Sequence, residues 1–135
     1  MNKHETEYIK NWLIKANEDI AVIIELSSEH PENYTTAISF HSQQAVEKFL
    51  KTYLVYKNIE FDRTHDVDFL LTECMNVEKT GFEDIDLKNV NDFGVTIRYP
   101  DDFMIPTLKD ALENKEIALQ VKKIVERKIK FDDDE

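Results

Sequence analysis

The chain has 135 residues and a formal net charge of −11, so its average field repels the phosphates of a long nucleic acid. This length is typical of one domain, and 41% hydrophobic residues suffice for one core. No apolar run approaches the ~18 residues of a membrane span, and Met1 to Lys10 lacks the apolar stretch of a signal peptide. The single cysteine, Cys74, excludes an internal disulfide framework. We therefore expect a cytoplasmic protein without a membrane partner.

The spacing of apolar residues predicts five helices along the chain. The first runs from about Glu5 to Ser27, and the second from about Pro31 to Lys57. A third begins after Thr64-His65-Asp66, where Asp66 or Thr64 can cap free backbone N–H groups. The fourth is short, from about Asp86 to Phe93, and the fifth runs from about Pro106 to Lys130.

Turn residues are scarce in this sequence. Two glycines and three prolines are fewer than a β-protein usually needs, and no long segment alternates with period two. Long helices with short links favour an antiparallel bundle. The sequence therefore predicts an all-α domain over residues 1–130, an antiparallel bundle of four long helices plus one short helix. Residues 131–135 are predicted to form an acidic, frayed tail.

The second helix carries a polar ridge opposite its apolar side. His41, Gln44 and Lys48 recur at i, i+3 and i+7, with Glu47 and Lys51 beside them. Three interpretations remain open. The ridge is a solvated face with a Glu47–Lys51 pair, or a polar network between helices that includes Gln44. It is otherwise an anion site, with the two lysines as charges and His41 and Gln44 as donors.

Two loop edges add candidate residues, because functional side chains are over-represented there. His65 lies in Arg63-Thr64-His65-Asp66, for which helix capping is the simpler interpretation. Arg98 and Tyr99 lie before Pro100, where a turn with Arg98 paired to an acidic neighbour is the simpler interpretation. Arginine nevertheless offers the best bidentate grip on a phosphate.

Other chemistry lacks sequence support. The four histidines show no metal-ligand spacing, neither glycine belongs to a phosphate-binding loop, and no local signature favours a catalytic triad. The sequence therefore predicts neither a metal site nor a cofactor.

Several of these elements occur together in an order typical of one family. They are Trp12-Leu13 with Ala16 and Asp19, the Phe-His-x-Gln-Gln-Ala-x-Glu-Lys element that starts at Phe40, Thr64-His65-Asp66, and Arg98-Tyr99-Pro100. Together they resemble the HEPN family, the higher eukaryotes and prokaryotes nucleotide-binding domain, over about Glu5 to Lys130.

The resemblance implies a bundle of four long helices plus a short one, usually dimeric, and an association with nucleotide binding. Many members occur beside a small nucleotidyltransferase in a toxin–antitoxin pair. Several branches are metal-independent ribonucleases whose motif is an arginine followed, four to six residues later, by a histidine. This sequence departs from that motif, because no histidine occupies that window after Arg63, Arg98 or Arg127.

Two functional hypotheses follow. The first is a non-catalytic, dimeric binding domain for a nucleotide or for an anionic surface of a partner such as a nucleotidyltransferase. The alternative is a ribonuclease that combines Arg98 with His41 or His65 as a non-standard pair. A third possibility is a structural partner that neutralises a neighbouring enzyme.

Overall fold

A computed structural model of the chain describes residues 1–93 and 105–131. Its four α-helices are α1 (Lys3–Leu26), α2 (Thr35–Tyr56), α3 (Val67–Val77) and α4 (Leu108–Lys128). Short 3₁₀ turns cover Pro31–Asn33, Phe82–Asp84 and Val90–Phe93, and the described ranges contain no strand. The prediction of an all-helical fold is confirmed. None of the described helices combines the length and the apolar character that a membrane crossing requires.

Side-chain caps explain where three of the helices begin. At the start of α1, Asn2 Oδ1 accepts from Glu5 N at 2.8 Å, while Glu5 Oε1 accepts from Asn2 N at 2.9 Å. Thr107 and Asp110 form the same reciprocal box at α4. Asp66, one of the two predicted candidates, caps α3, because its Oδ1 accepts from the backbone N–H groups of Asp68 and Phe69.

The predicted fourth helix is reduced to a single turn. Lys88 adopts a left-handed φ of 49°, and its backbone N donates to Asp86 Oδ1 at 3.0 Å. A positive φ interrupts a right-handed helix, so only Val90–Phe93 forms a 3₁₀ turn. Leu87 and Val90 are nevertheless buried.

The second helix is the centre of the bundle, and α1, α3 and α4 pack around it. α1 runs antiparallel to α2, as expected. α4 runs in the same direction as α2, because Asn114 Nδ2 donates to Ser39 Oγ near their beginnings and Tyr56 Oη contacts the Lys130 backbone oxygen near their ends. α3 also runs in the direction of α2, because His65 before it lies beside Glu47 and Glu78 after it lies beside Tyr53. The link 57–66 is long enough to return along α2, as a short hairpin link would not be.

The apolar side of α2 contributes more buried residues to the core than any other helix. They are Ile38, Ala45, Val46, Phe49, Leu50, Tyr53 and Leu54. From α1, Ile20 and Ile23 pack against them, whereas Ile24 is 51% exposed. Each fully buried side chain of this size contributes about 1.5–3 kcal/mol, so this face fixes the position of α2 in the bundle.

The end of α2 directs the next segment back along the helix. Asn58 has a φ of 59°, and Ile59 N donates to Leu54 O at 2.9 Å, which closes the helix with a left-handed cap. Asparagine tolerates this conformation better than most residues. The reversed chain then brings His65 back beside the middle of α2, where it reaches Glu47.

Candidate functional site

The first group of polar contacts on α2 is centred on Asp19 of α1. His41 Nδ1 lies 2.8 Å from Asp19 Oδ1, and Lys48 Nζ lies 2.7 Å from Asp19 Oδ2. Because an ionised carboxylate only accepts hydrogen bonds, Nδ1 donates, and Nε2 is the ring nitrogen left for another partner. Asp19 is buried on the same side of α1 as Ile20 and Ile23, so core packing also positions this carboxylate.

The second group is centred on Glu47, within α2 itself. Its Oε2 accepts from Lys51 Nζ at 2.8 Å and from His65 Nδ1 at 2.9 Å. Gln43 Nε2 donates to Glu47 Oε1 at 3.3 Å and to the His65 backbone oxygen at 3.1 Å, which ties the loop before α3 to α2. The Lys51 side chain is only 11% exposed, so Glu47 offsets the desolvation of its ammonium group.

Gln44 extends the second group toward the first. Its Nε2 donates to Gln43 Oε1 at 2.7 Å, and its position lies one turn before Lys48 on the helix. The two groups therefore occupy adjoining strips of one helix face. We call this set the polar network; its members are Asp19, His41, Gln43, Gln44, Glu47, Lys48, Lys51 and His65.

The polar network places its acids inside, and His41, Lys48 and His65 nearer to solvent. The side chains of Asp19 and Glu47 are 9% and 7% exposed. Those of His41 and Lys48 are each 29% exposed, and that of His65 is 63% exposed. With both imidazoles neutral, two carboxylates balance two ammonium groups, so the network carries no net charge within a chain of −11. An approaching anion therefore meets the Lys48 ammonium before it meets a carboxylate, and an imidazole adds a second donor only when its Nε2 is also protonated.

Six of the eight sequence-predicted site residues belong to the polar network, and Arg98 and Tyr99 lie outside the described residues. The predicted Glu47–Lys51 pair is present. The interpretation as a fully solvated ridge is wrong for these two residues, because both are buried. A network between helices, the second interpretation, describes the contacts better.

Sequence reasoning missed two members of the polar network. Asp19 was noted only in the family resemblance, although a carboxylate on the inward stripe of α1 signals a buried partner. Gln43 lies on the border between the apolar and polar sides of α2 and is fully buried. Its role depends on the backbone of His65, and no local pattern shows that long-range contact.

A different polar cluster lies beyond the other end of α3. Tyr53 Oη donates to Glu78 Oε1 at 2.7 Å, and Lys128 Nζ lies 3.0 Å from Glu78 Oε2. We call these three residues the Glu78 cluster. The Tyr53 hydroxyl, and after it Lys128, hold the pKa of Glu78 below its ordinary value. Burial and the hydrogen bond to Glu78 raise the pKa of the Tyr53 hydroxyl.

No group of three or more metal-ligating side chains converges within residues 1–93 and 105–131. In the polar network each carboxylate is already paired with an ammonium group and an imidazole. This combination suits hydrogen bonding to an anion better than metal ligation. Every buried side-chain nitrogen and oxygen in the described part of the chain has a hydrogen-bond partner. The site is therefore complete as a hydrogen-bonded unit.

Comparison with protein families gives one match, the model of the HEPN domain, over residues 9–129. Comparisons with curated proteins and with solved structures give no match. The matched range contains all four helices almost completely and every member of the polar network. The chain therefore belongs to the HEPN domain family.

Proposed function

We propose that this HEPN domain is a non-catalytic binding domain, and that the polar network binds the phosphate of a nucleotide. The observation that carries the proposal is the order of groups around Asp19, with the carboxylate buried and the Lys48 ammonium partly exposed. Asp19 holds Lys48 and His41 in place near the surface; Lys48 keeps further N–H donors, and Nε2 of His41 becomes a donor to a phosphate when the imidazole is protonated. Donors held in place lose little entropy on binding.

The same order explains why binding should be weak. Charge-assisted contacts contribute ~1.5–3 kcal/mol each before desolvation costs. Asp19 already neutralises much of the charge of Lys48, so an added anion gains less than it would from a free lysine. A partner protein would strengthen the site by adding donors. The family resemblance implies a small nucleotidyltransferase as a candidate partner. Arg98 and Tyr99 stay predictions as further ligand contacts, from their loop position and from the bidentate donors of arginine.

Calorimetric titration of a nucleotide panel tests this proposal. We expect Lys48→Ala to weaken binding by about tenfold, the equivalent of ~1.4 kcal/mol. Lys88→Ala is the matched control, because Lys88 is exposed and pairs with Glu113 away from the polar network. Equal heats for the wild type and both variants would refute the ligand site.

Homodimer formation is the second part of the proposal. Leu108 and Leu112 remain 39% and 37% exposed on α4, one turn apart, and Ile24 is exposed on α1. A symmetric contact between two copies would remove such side chains from water. Light scattering at tens of micromolar (the order of magnitude set by weak-interface affinities) should give the mass of two chains. Leu112→Glu should give one, and a monomeric wild type would contradict the dimer.

A ribonuclease is the second candidate function, and one observation favours it. His41 and His65 each direct Nδ1 to a buried carboxylate, at 2.8 and 2.9 Å, as a general base oriented by an acid would. The family's arginine–histidine spacing is absent, so we rank this candidate second. Degradation of RNA by the purified protein that disappears in His41→Ala, His65→Ala or Arg98→Ala would promote it and overturn the non-catalytic proposal.

A further inference from the structure

A separate cleft opens at the end of the bundle where α1 begins and where α2 and α4 end. Its volume is about 670 Å³, within the range of about 300–1,000 Å³ that small-molecule sites usually occupy. None of its lining residues belongs to the polar network. Its lining comes from the first residues of the chain, from the end of α2 with the two residues after it, and from the segment after α4.

The charges around this cleft differ from those of the chain as a whole. Lys57 and Lys130 line it, and the one lining carboxylate, Glu5, already accepts from Asn2 N in the cap of α1. Lys57 has no carboxylate within 4.0 Å among the described residues. It helps only slightly to lower the pKa of Glu78, which Tyr53 and Lys128 already bind. The cleft therefore offers positive charge in a protein of net charge −11.

Aromatic rings stand beside these charges. Lys57 Nζ lies 5.6 Å from the centre of the Tyr56 ring, and the Tyr56 hydroxyl is fixed by the Lys130 backbone, whose N donates to it at 3.2 Å. Tyr8 lines the same cleft, is 56% exposed, and packs edge-to-face against Trp12 with ring centres 6.5 Å apart. Two tyrosine rings and two ammonium groups are thus available to one ligand.

From this combination we propose that the cleft binds a small planar anion, an aromatic carboxylate being the simplest example. The carboxylate would contact the ammonium groups of Lys57 and Lys130, and the ring would pack on Tyr8 or Tyr56. Ile9 and Val55 supply apolar surface for the ring. This site goes beyond the proposed function, because it uses neither the polar network nor a nucleotide.

Sodium benzoate is a suitable probe, and Trp12 is the reporter. Trp12 is the sole tryptophan of the chain, so the ¹H–¹⁵N spectrum contains one indole signal. We expect benzoate to shift this signal at millimolar concentrations through Tyr8. Benzamide, which is neutral, and cyclohexanecarboxylate, which is not aromatic, should each bind about tenfold more weakly, since each lacks one of the two contacts.

Variants separate this site from nonspecific binding. Lys57→Ala and Lys130→Ala should each weaken benzoate binding by about tenfold. Lys88→Ala removes one positive charge away from the cleft and should not change the affinity for benzoate. Lys48→Ala should not change it either, because Lys48 belongs to the proposed nucleotide site. All four lysines are partly or fully exposed, and far-UV circular dichroism verifies folding.

Three results would overturn the proposal: an indole signal that benzoate does not shift, benzamide that binds as tightly as benzoate, or lysine variants at the cleft that bind benzoate as the wild type does.

Discussion

The polar network and the Glu78 cluster are both centred on carboxylates, and they lie before and after the same helix, α3. In the polar network the acids are inside, with Asp19 and Glu47 side chains 9% and 7% exposed. In the Glu78 cluster the acid is outside, because the Glu78 side chain is 41% exposed while that of Lys128 is 13% exposed. Tyr53, its other donor, is fully buried.

The position of the carboxylate distinguishes the proposed binding surface of the polar network from the structural contact made by the Glu78 cluster. A buried carboxylate with exposed donors presents N–H groups to solvent, as an anion site requires. An exposed carboxylate with buried donors presents negative charge and satisfies groups that the fold has already removed from water. The sign of the charge that a cluster exposes to solvent therefore says more about the role of that cluster than its number of ion pairs does. Exposed ion pairs contribute little to stability.

Removal of Glu47 should have the largest effect on stability. Glu47→Ala leaves the buried Lys51 ammonium without its carboxylate and releases His65, and breaking such a pair costs about 3–5 kcal/mol. Glu78→Ala should cost less, about 1–3 kcal/mol, because solvent screens the exposed carboxylate but its loss leaves the Tyr53 hydroxyl and the Lys128 ammonium without their partner. The urea midpoints of the two variants test this, and equal losses would remove the distinction between the two regions.

A paired replacement sharpens the same comparison. Glu47→Leu combined with Lys51→Met removes both charges and keeps apolar volume, so it should recover most of the loss seen in Glu47→Ala. The same double variant should bind nucleotides less well than the wild type. Recovery of stability without loss of binding would mean that Glu47 and Lys51 serve the fold alone.

The Glu78 cluster should make stability depend on pH. The pKa of the Glu78 carboxyl in the folded protein is lowered first by the Tyr53 hydroxyl and then by Lys128. The stabilisation is therefore fully present above the ordinary carboxyl pKa of 4.5 and is lost as the pH falls through the lowered folded value. Tyr53→Phe should cost about 1 kcal/mol at neutral pH and weaken this acid dependence. Urea midpoints measured from neutral to acidic pH test it, and an unchanged pH profile would contradict the assignment.

The smallest expected effect concerns α3, the helix that connects the two regions. Cys74 is fully buried, its Sγ lies 3.6 Å from the Leu50 backbone oxygen, and burial raises the pKa of its thiol to about 12. The thiolate is the reactive form, so iodoacetamide should not modify the folded protein at neutral pH. It should react once urea unfolds the chain. Rapid modification under native conditions would show that α3 opens readily and that the two regions are not rigidly joined.

Local patterns predicted the helices well, because they depend on periodicity and on caps within a few residues of one another. Asp66 as the cap of α3 and the apolar side of α2 are examples. The direction of α4 relative to α2 was not predictable in this way, since it depends on contacts distant in sequence, such as that of Asn114 with Ser39. The turn at Lys88 was not predicted either. Its left-handed φ accompanies a hydrogen bond from Lys88 N to Asp86 Oδ1, and the spacing of apolar residues does not indicate that bond.

The site was predictable only in part. His41, Gln44 and Lys48 stand on one face of one helix, and helical spacing alone places them together. Asp19 joins them from α1 across 22 and 29 residues of sequence, and only the packing of the two helices creates that contact. The partner of Lys48 therefore could not be read from its neighbours, whereas the partner of Lys51 could.

The histidine signals in an NMR titration with adenosine monophosphate test the central claim most directly. The chain has four histidines, of which His41 and His65 belong to the polar network while His4 and His30 are exposed outside it. The account predicts that the imidazole signals of His41 and His65 shift in saturable fashion, that those of His4 and His30 do not, and that Lys48→Ala weakens the effect about tenfold. Signals that stay unchanged, or that shift equally at all four histidines, would contradict it.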